Sequence, residues 1–242
     1  MSNKKTNLIK TVLDRAKETL PIKQSLLVGG LLGIVGGFLD SYTFVLRGGV
    51  FANAQTGNMV LLAINAVGKD FVKVIYYFIP ILAFFLGVLI TEVIKKYYDK
   101  SKRIRHEYVV LIFEAVLLFV VGFIPTTVSH LTSNVIISFI CSMQVNSFRS
   151  IDGSPYATTM CTGNLRSAGE KFFLFLSKKD KSAGKTCGKY FMVIVFFCIG
   201  AGIGVYFSEK YGVRSVWICS AILLLTAVIL IDEQRKTKNL IQ

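Results

Sequence analysis

An all-α membrane protein is the fold class this sequence predicts. It should hold six transmembrane helices in two inverted three-helix repeats, each repeat with a re-entrant or broken half-helix that opens on Thr-Gly-Asn. Three observations predict it. First, 53% of the 242 residues are hydrophobic and only 17% are charged, whereas about a quarter of a soluble domain is charged. Second, the apolar residues fall into six blocks, at 25–46, 74–94, 108–124, 131–148, 190–207 and 215–231. These approach the ~20 residues a spanning helix needs. Third, Gln55-Thr56-Gly57-Asn58 returns 106 positions later as Cys161-Thr162-Gly163-Asn164. Such an internal repeat in an apolar chain points to two related halves. The competing class is a soluble bundle of deeply buried helices, but those helices would each keep a polar face.

Residues 1–24 are charged and carry no apolar core, so no cleavable leader is expected here. Within them, Ile9, Val12, Leu13, Ala16 and Leu20 sit near helical spacing, with Lys10, Asp14, Arg15, Lys17 and Glu18 opposite. A cytoplasmic amphipathic helix on the membrane surface fits this pattern, and so does a solvated tail. Pro21 separates the segment from the first block.

The first block spaces Gly29, Gly33 and Gly37 four apart. Small residues at that spacing let helix backbones approach closely in lipid. The block then meets Asp40, Ser41 and Tyr42 and closes on Arg47-Gly48-Gly49. A charge at Asp40 is costly and must face a partner or water. Arg47, two turns on, is the expected partner; a helix cap and a cation or proton site are the alternatives. Residues 50–68 read as a polar approach followed by half a span, with Thr56 or Asn58 as the cap. Broken backbone of this kind persists at membrane depth only when buried in protein or lining a cavity.

Pro80 should kink the block 74–94. The block 108–124 carries Glu114 near its middle, and Pro125 and His130 mark a tight connection with His130 in the loop. The block 131–148 ends in Gln144, Asn146, Ser147 and Arg149, followed by a turn at Asp152-Gly153-Ser154-Pro155. The second Thr-Gly-Asn unit then runs through Arg166 and Glu170 into lysine-rich sequence. Gly200, Gly202 and Gly204 again suit close packing. The offset of 106 also lays Asp40-Ser41-Tyr42 on Asn146-Ser147-Phe148, and Gly87–Glu92 resembles Gly204–Glu209 at an offset of 117. The repeats are bounded at 25–124 and 131–232, with a cytoplasmic tail at 233–242.

Charge sets the expected orientation. With six spans, 23 of the 28 Lys and Arg residues fall on one side, and only Arg47, Lys69, Lys73, Lys210 and Arg214 on the other. The richer side is cytoplasmic by the positive-inside rule, which places both termini there. Each half then has three spans, so the halves are inverted and the Thr-Gly-Asn segments enter from opposite faces. The net charge of +14 follows from these loops rather than from a nucleic-acid surface.

The run Gly36-Gly37-Phe38-Leu39-Asp40-Ser41-Tyr42, continued by Arg47-Gly48-Gly49-Val50-Phe51-Ala52-Asn53-Ala54-Gln55-Thr56-Gly57-Asn58, resembles the signature of the YoaK-like family. These are bacterial multi-pass membrane proteins with a domain of unknown function. The resemblance implies a location in the bacterial cell (inner) membrane and supplies no substrate.

The residues themselves point to transport of a small polar or anionic solute, by a channel or a secondary transporter. The expected site joins Asp40, Tyr42, Arg47, Asn53, Gln55, Thr56, Asn58, Glu114, Asn146, Thr162 and Asn164. Their amides and hydroxyls either line a polar path or satisfy the freed backbone of two broken helices, and both roles are compatible. Glu114 reads as a proton-coupling carboxylate, as a hydrogen-bonding group between helices, or as an acid protonated in place. The expected partners are the bilayer and the solute, with a homo-oligomer left open and no cofactor. The five cysteines lack metal-ligand spacing and read as small interface residues. An enzyme is not expected, for no phosphate loop, nucleophile elbow or histidine cluster occurs. An intramembrane hydrolase built on Asp40 and Glu114 and a scaffold or sensor without flux are the other readings.

Overall fold

Every one of the six apolar blocks folds as a helix in the computed structural model, which describes residues 26–98, 105–151, 154–156 and 159–239. The elements are α1 (Leu26–Leu46), α2 (Gln55–Val67), α3 (Phe71–Tyr98), α4 (His106–Val121), α5 (His130–Ser147), β1 (Ser150–Ile151), β2 (Ser154–Pro155), α6 (Cys161–Lys178), α7 (Lys181–Tyr211) and α8 (Trp217–Asn239), with a 3-10 turn at Gly212–Val216 before α8. The amphipathic segment expected over 6–20 lies outside the described residues. Among the described residues, three stretches are long and apolar enough to cross a membrane by length and composition: Leu26–Leu46, Phe71–Tyr98 and Lys181–Asp232. Helix α3 runs without interruption through the buried Pro80. His130, expected in a loop, opens α5.

The distribution of polarity is that of a membrane protein. Ile75, Phe78, Leu82, Phe85 and Leu89 of α3 are exposed, as are Ile112, Phe113, Val116 and Phe119 of α4. Inside, Thr43, Asn58, Glu114, Asn134, Ser138 and Gln144 are fully buried. Charged and amide side chains mostly stay on the surface in water; here hydrocarbon covers the outside, so polar groups gather within. Val28, Leu32 and Leu39 of α1, Leu111 and Leu118 of α4, Ile137 and Ile140 of α5, and Leu223 of α8 form the main apolar core.

Helix α1 packs most extensively on α7, and α3 on α5; α2 lies on α3, α6 on α7, and α4 on α8. Glycines set the two closest crossings. A Cβ on Gly37 would run into the Phe197 carbonyl and stand 2.9 Å from the Ala201 nitrogen. A Cβ on Gly204 would stand 2.9 Å from the Phe38 Cα and strike the Ser41 hydroxyl. At the other crossing, a Cβ on Gly87 would strike the Ser142 hydroxyl and the Phe139 carbonyl. Both serines fold back on their own helices, Ser41 to the Phe38 carbonyl at 2.9 Å and Ser142 to the Phe139 carbonyl at 2.7 Å. Gly202 meets nothing and takes no part in the packing.

The helix ends gather at two poles. At the first, the Arg47 guanidinium donates to Tyr42 Oη at 2.8 Å and to the Ile124 carbonyl at 2.8 Å. Tyr76 of α3 and Asn134 of α5 both donate to the Arg47 carbonyl. Tyr42 donates to the Val213 carbonyl, and Trp217 Nε1 donates to the Phe119 carbonyl at 3.0 Å. Interfacial tryptophan suits this position, with an apolar ring and a wet edge. At the second pole, Lys95 of α3 donates to the Asn146 carbonyl at 2.7 Å, and Tyr108 of α4 to the Leu230 carbonyl. Asp180 caps α7 by accepting from the Ser182 and Ala183 nitrogens, a contribution of about 1 kcal/mol. The left-handed Lys179 before it turns the chain back from α6.

Candidate functional site

Two loops leave opposite poles and meet α1 at its middle. The first, residues 47–54, starts from the pole that holds Arg47. The second, residues 148–160, starts from the pole that holds Lys95 and Asn146. Gly36 is the eleventh of the 21 residues of α1. It therefore lies about 15 Å from either helix end at 1.5 Å per residue. There Asn53 Nδ2 donates to the Gly36 carbonyl at 3.1 Å. From the other loop, Thr159 packs on the same glycine, its Cβ 3.1 Å from where a glycine Cβ would stand. Only glycine leaves room for this approach.

Asp40, one turn further along α1, receives the Asn53 backbone N–H at 2.8 Å and also the Ala54 backbone N–H. It thereby holds, from another helix, the two residues that lead into α2. Ala54 itself occupies the capping position and has no side-chain acceptor. The capping expected of Thr56 or Asn58 fails for that reason, since both already lie inside the first turn. A carboxylate at a helix N-terminus is favourable by charge as well. Cys161, the first residue of α6, follows two residues after the Thr159 that packs on Gly36. The starts of both broken helices thus converge on Asp40 and Gly36.

Around this point Gln55 Nε2 donates to Ser138 Oγ of α5 at 3.2 Å, and Asn58 Nδ2 to Gln55 Oε1 at 2.9 Å and the Phe51 carbonyl at 2.8 Å. Asn53 Oδ1, Asn58 Oδ1 and Thr159 Oγ1 are buried without a hydrogen-bond partner. Asp40, Asn53, Asn58 and Thr159 are all at most 6% exposed, so the site is closed to solvent from both poles.

Not every expected residue comes to this place. Thr56 and Thr162 are exposed and point away from it. The reason is helical rotation, for only Gln55 and Asn58 of α2, and Asn164 and Ala168 of α6, turn inward. Arg47 does not pair with Asp40. It is fully buried at the first pole, where its donors serve Tyr42 and the carbonyls of Val121 and Ile124 at the end of α4. Seven residues of helix hold the two side chains about 10 Å apart along the axis. Tyr42 stays with Arg47 and Val213 at that pole. Asn146 sits at the second pole, donating to Glu92 Oε1 at 2.8 Å and touching Arg149. A recess of about 190 Å³ opens there, lined by Lys95, His106 and Asn146 through Ser150.

Asn146 is thus not placed as Asp40 is. Asp40 lies six residues before the end of α1; the residue six before the end of α5 is Cys141. The ungapped match failed because the loop 148–160 is five residues longer than the loop 47–54. Thr159 was missed by inspection of the motif alone. The offset of 106 contained the signal, for it sets Thr159 against Asn53.

An inside-out helical bundle whose connecting loops reach its centre defines a multi-pass membrane protein. The chain belongs to the family described as Protein of unknown function (DUF1275), whose profile matches residues 28–229. It is 25% identical over 198 residues to "UPF0700 transmembrane protein YoaK" of Bacillus subtilis (strain 168), which covers 78% of this chain and 86% of that protein. No solved structure matches it.

Proposed function

We propose that this protein moves a small polar solute across the bacterial inner membrane, through a site at Gly36 and Asp40 between the starts of α2 and α6. The observation that carries the reading is the meeting of two interrupted segments on one glycine at mid-helix. Interrupted helices that meet at the midplane are how many transporters build their substrate site. Unpartnered Asn53 Oδ1 and Thr159 Oγ1 are the groups that would replace the hydration of a solute. Because Asp40 already neutralises the start of α2, a neutral solute suits the site better than an anion. Transport is favoured over catalysis because Asp40 is committed to two backbone donors, which leaves no nucleophile and base in register.

The same reading takes the fold as two inverted repeats with re-entrant Thr-Gly-Asn segments and six spans. Three features support it. The α1–α7 and α3–α5 crossings are exchanged by one swap of halves, as are the α2–α3 and α6–α7 contacts. The seats Ser41 on Gly204 and Ser142 on Gly87 are exchanged by the same swap. The five Lys and Arg residues assigned outside lie at or beside the pole of Arg47. Single cysteines at Lys69 and Lys100 in a cysteine-free background are expected to react with a membrane-impermeant maleimide from outside and inside the cell respectively. Labelling of the Lys100 site from outside would refute the topology.

The site is tested by Thr159→Val, which keeps shape and removes a hydroxyl that has no partner. Its thermal stability in detergent is expected to equal that of the parent protein. A panel of small neutral and anionic solutes is expected to include a neutral one that raises the melting temperature of the parent but not of Thr159→Val. A solute that stabilises both equally would place its site elsewhere. Stabilisation without flux in liposomes would favour the scaffold or sensor.

A further inference from the structure

Helix α4 carries a carboxyl that the proposed site does not use. Glu114 is fully buried near the middle of α4, and neither of its oxygens has a hydrogen-bond partner. A buried structural carboxyl would be expected to hold a donor, as Asp40 does. Cys141 of α5 and Cys219 of α8 are buried in the same cluster as Leu111, Ala115 and Leu118, which flank Glu114 on α4. Elsewhere around α4, the 3-10 turn offers Arg214, which is exposed and stacked on Trp217. The α3 charges Glu92 and Lys95 are held at the second pole by Asn146 and one another. No cation among the described residues therefore reaches Glu114. A carboxylate stripped of both water and partner is far costlier than the neutral acid.

We infer that Glu114 is a proton-binding site, neutral in this closed conformation and releasing its proton when α4, α5 and α8 part to admit water. This rests on the transport reading for its purpose, as it names the coupling ion of that transport, but the proton site can be tested alone. The bond formed and broken is the carboxyl O–H; the proton passes to water, and no electrons are transferred.

Infrared spectroscopy of the purified full-length protein in lipid reads the protonated acid directly. The parent protein is expected to show a protonated-carboxyl band at neutral pH that shifts in D2O and is lost at high pH. Glu114→Gln should lose that band, while Glu114→Asp and Asp40→Asn should keep one. A hydrophobic carbodiimide, which attacks protonated carboxyls in apolar surroundings, should form an adduct that peptide mass mapping places on Glu114 and that Glu114→Gln prevents. Absence of the band from the parent protein would overturn the inference. So would its persistence in Glu114→Gln, or a band that never exchanges in D2O. Band and adduct without flux of any solute would keep the proton site and remove the transport reading. Flux without the band would do the reverse.

Discussion

Arg47→Leu is expected to be the most damaging single substitution in the chain. The guanidinium is fully buried and serves Tyr42 Oη and the carbonyls of Val121 and Ile124 at one pole. It also stacks over the Tyr42 ring, 5.5 Å from its centroid. Removal strands several buried polar groups at once, at roughly 1–3 kcal/mol each, for a loss on the order of 3–5 kcal/mol. Arg47→Lys should recover only part of it, because one ammonium cannot span the fork of acceptors. Adding Asp40→Asn should not rescue folding. Denaturation of the four proteins in a double-mutant cycle checks this, with a coupling energy within about 0.5 kcal/mol of zero expected. Substantial rescue would restore the Asp40–Arg47 pair that the sequence suggested.

Gly37→Val should come next in severity. Its side chain would occupy the space of the Phe197 carbonyl and crowd the Ala201 nitrogen. Those are backbone atoms of a 31-residue helix and cannot rotate away. Overpacking of a close crossing costs about 3 kcal/mol or more when the neighbour is rigid. In a bundle whose most extensive contact is this crossing, the folded monodisperse fraction in detergent should fall severalfold. Gly202→Val on α7 is the control, since nothing stands within 4 Å of it. Equal losses for both would show that helix propensity, rather than the crossing, sets the yield.

The sequence by itself determined the class of protein and its helices. Six apolar blocks became six helices because a run of that length must satisfy its own backbone. The glycine spacing at 33 and 37 marked the face of α1 that packs on α7, because lipid gives close packing rather than burial as the driving force. Position 36 in that same run proved to be where Asn53 and Thr159 both reach α1. The two Thr-Gly-Asn copies also marked the segments whose starts reach the centre.

Tertiary structure decided which side chains meet there. Thr56 and Thr162 share the motif with Asn58 and Asn164, yet helical rotation turns the threonines out and the amides in. Asp40 and Arg47 are close in sequence and opposite in charge, but their partners are the Asn53 backbone and the far end of α4, up to 77 residues away. Asn146 could be matched to Asp40 only while the loop lengths were assumed equal. Glu114 shows the contrast most plainly. Its cost at membrane depth was legible from hydropathy, because burial of a charge follows from position in an apolar run. That it has no partner was not legible, because a hydrogen bond depends on what other helices bring to the same point, and local sequence carries no record of that.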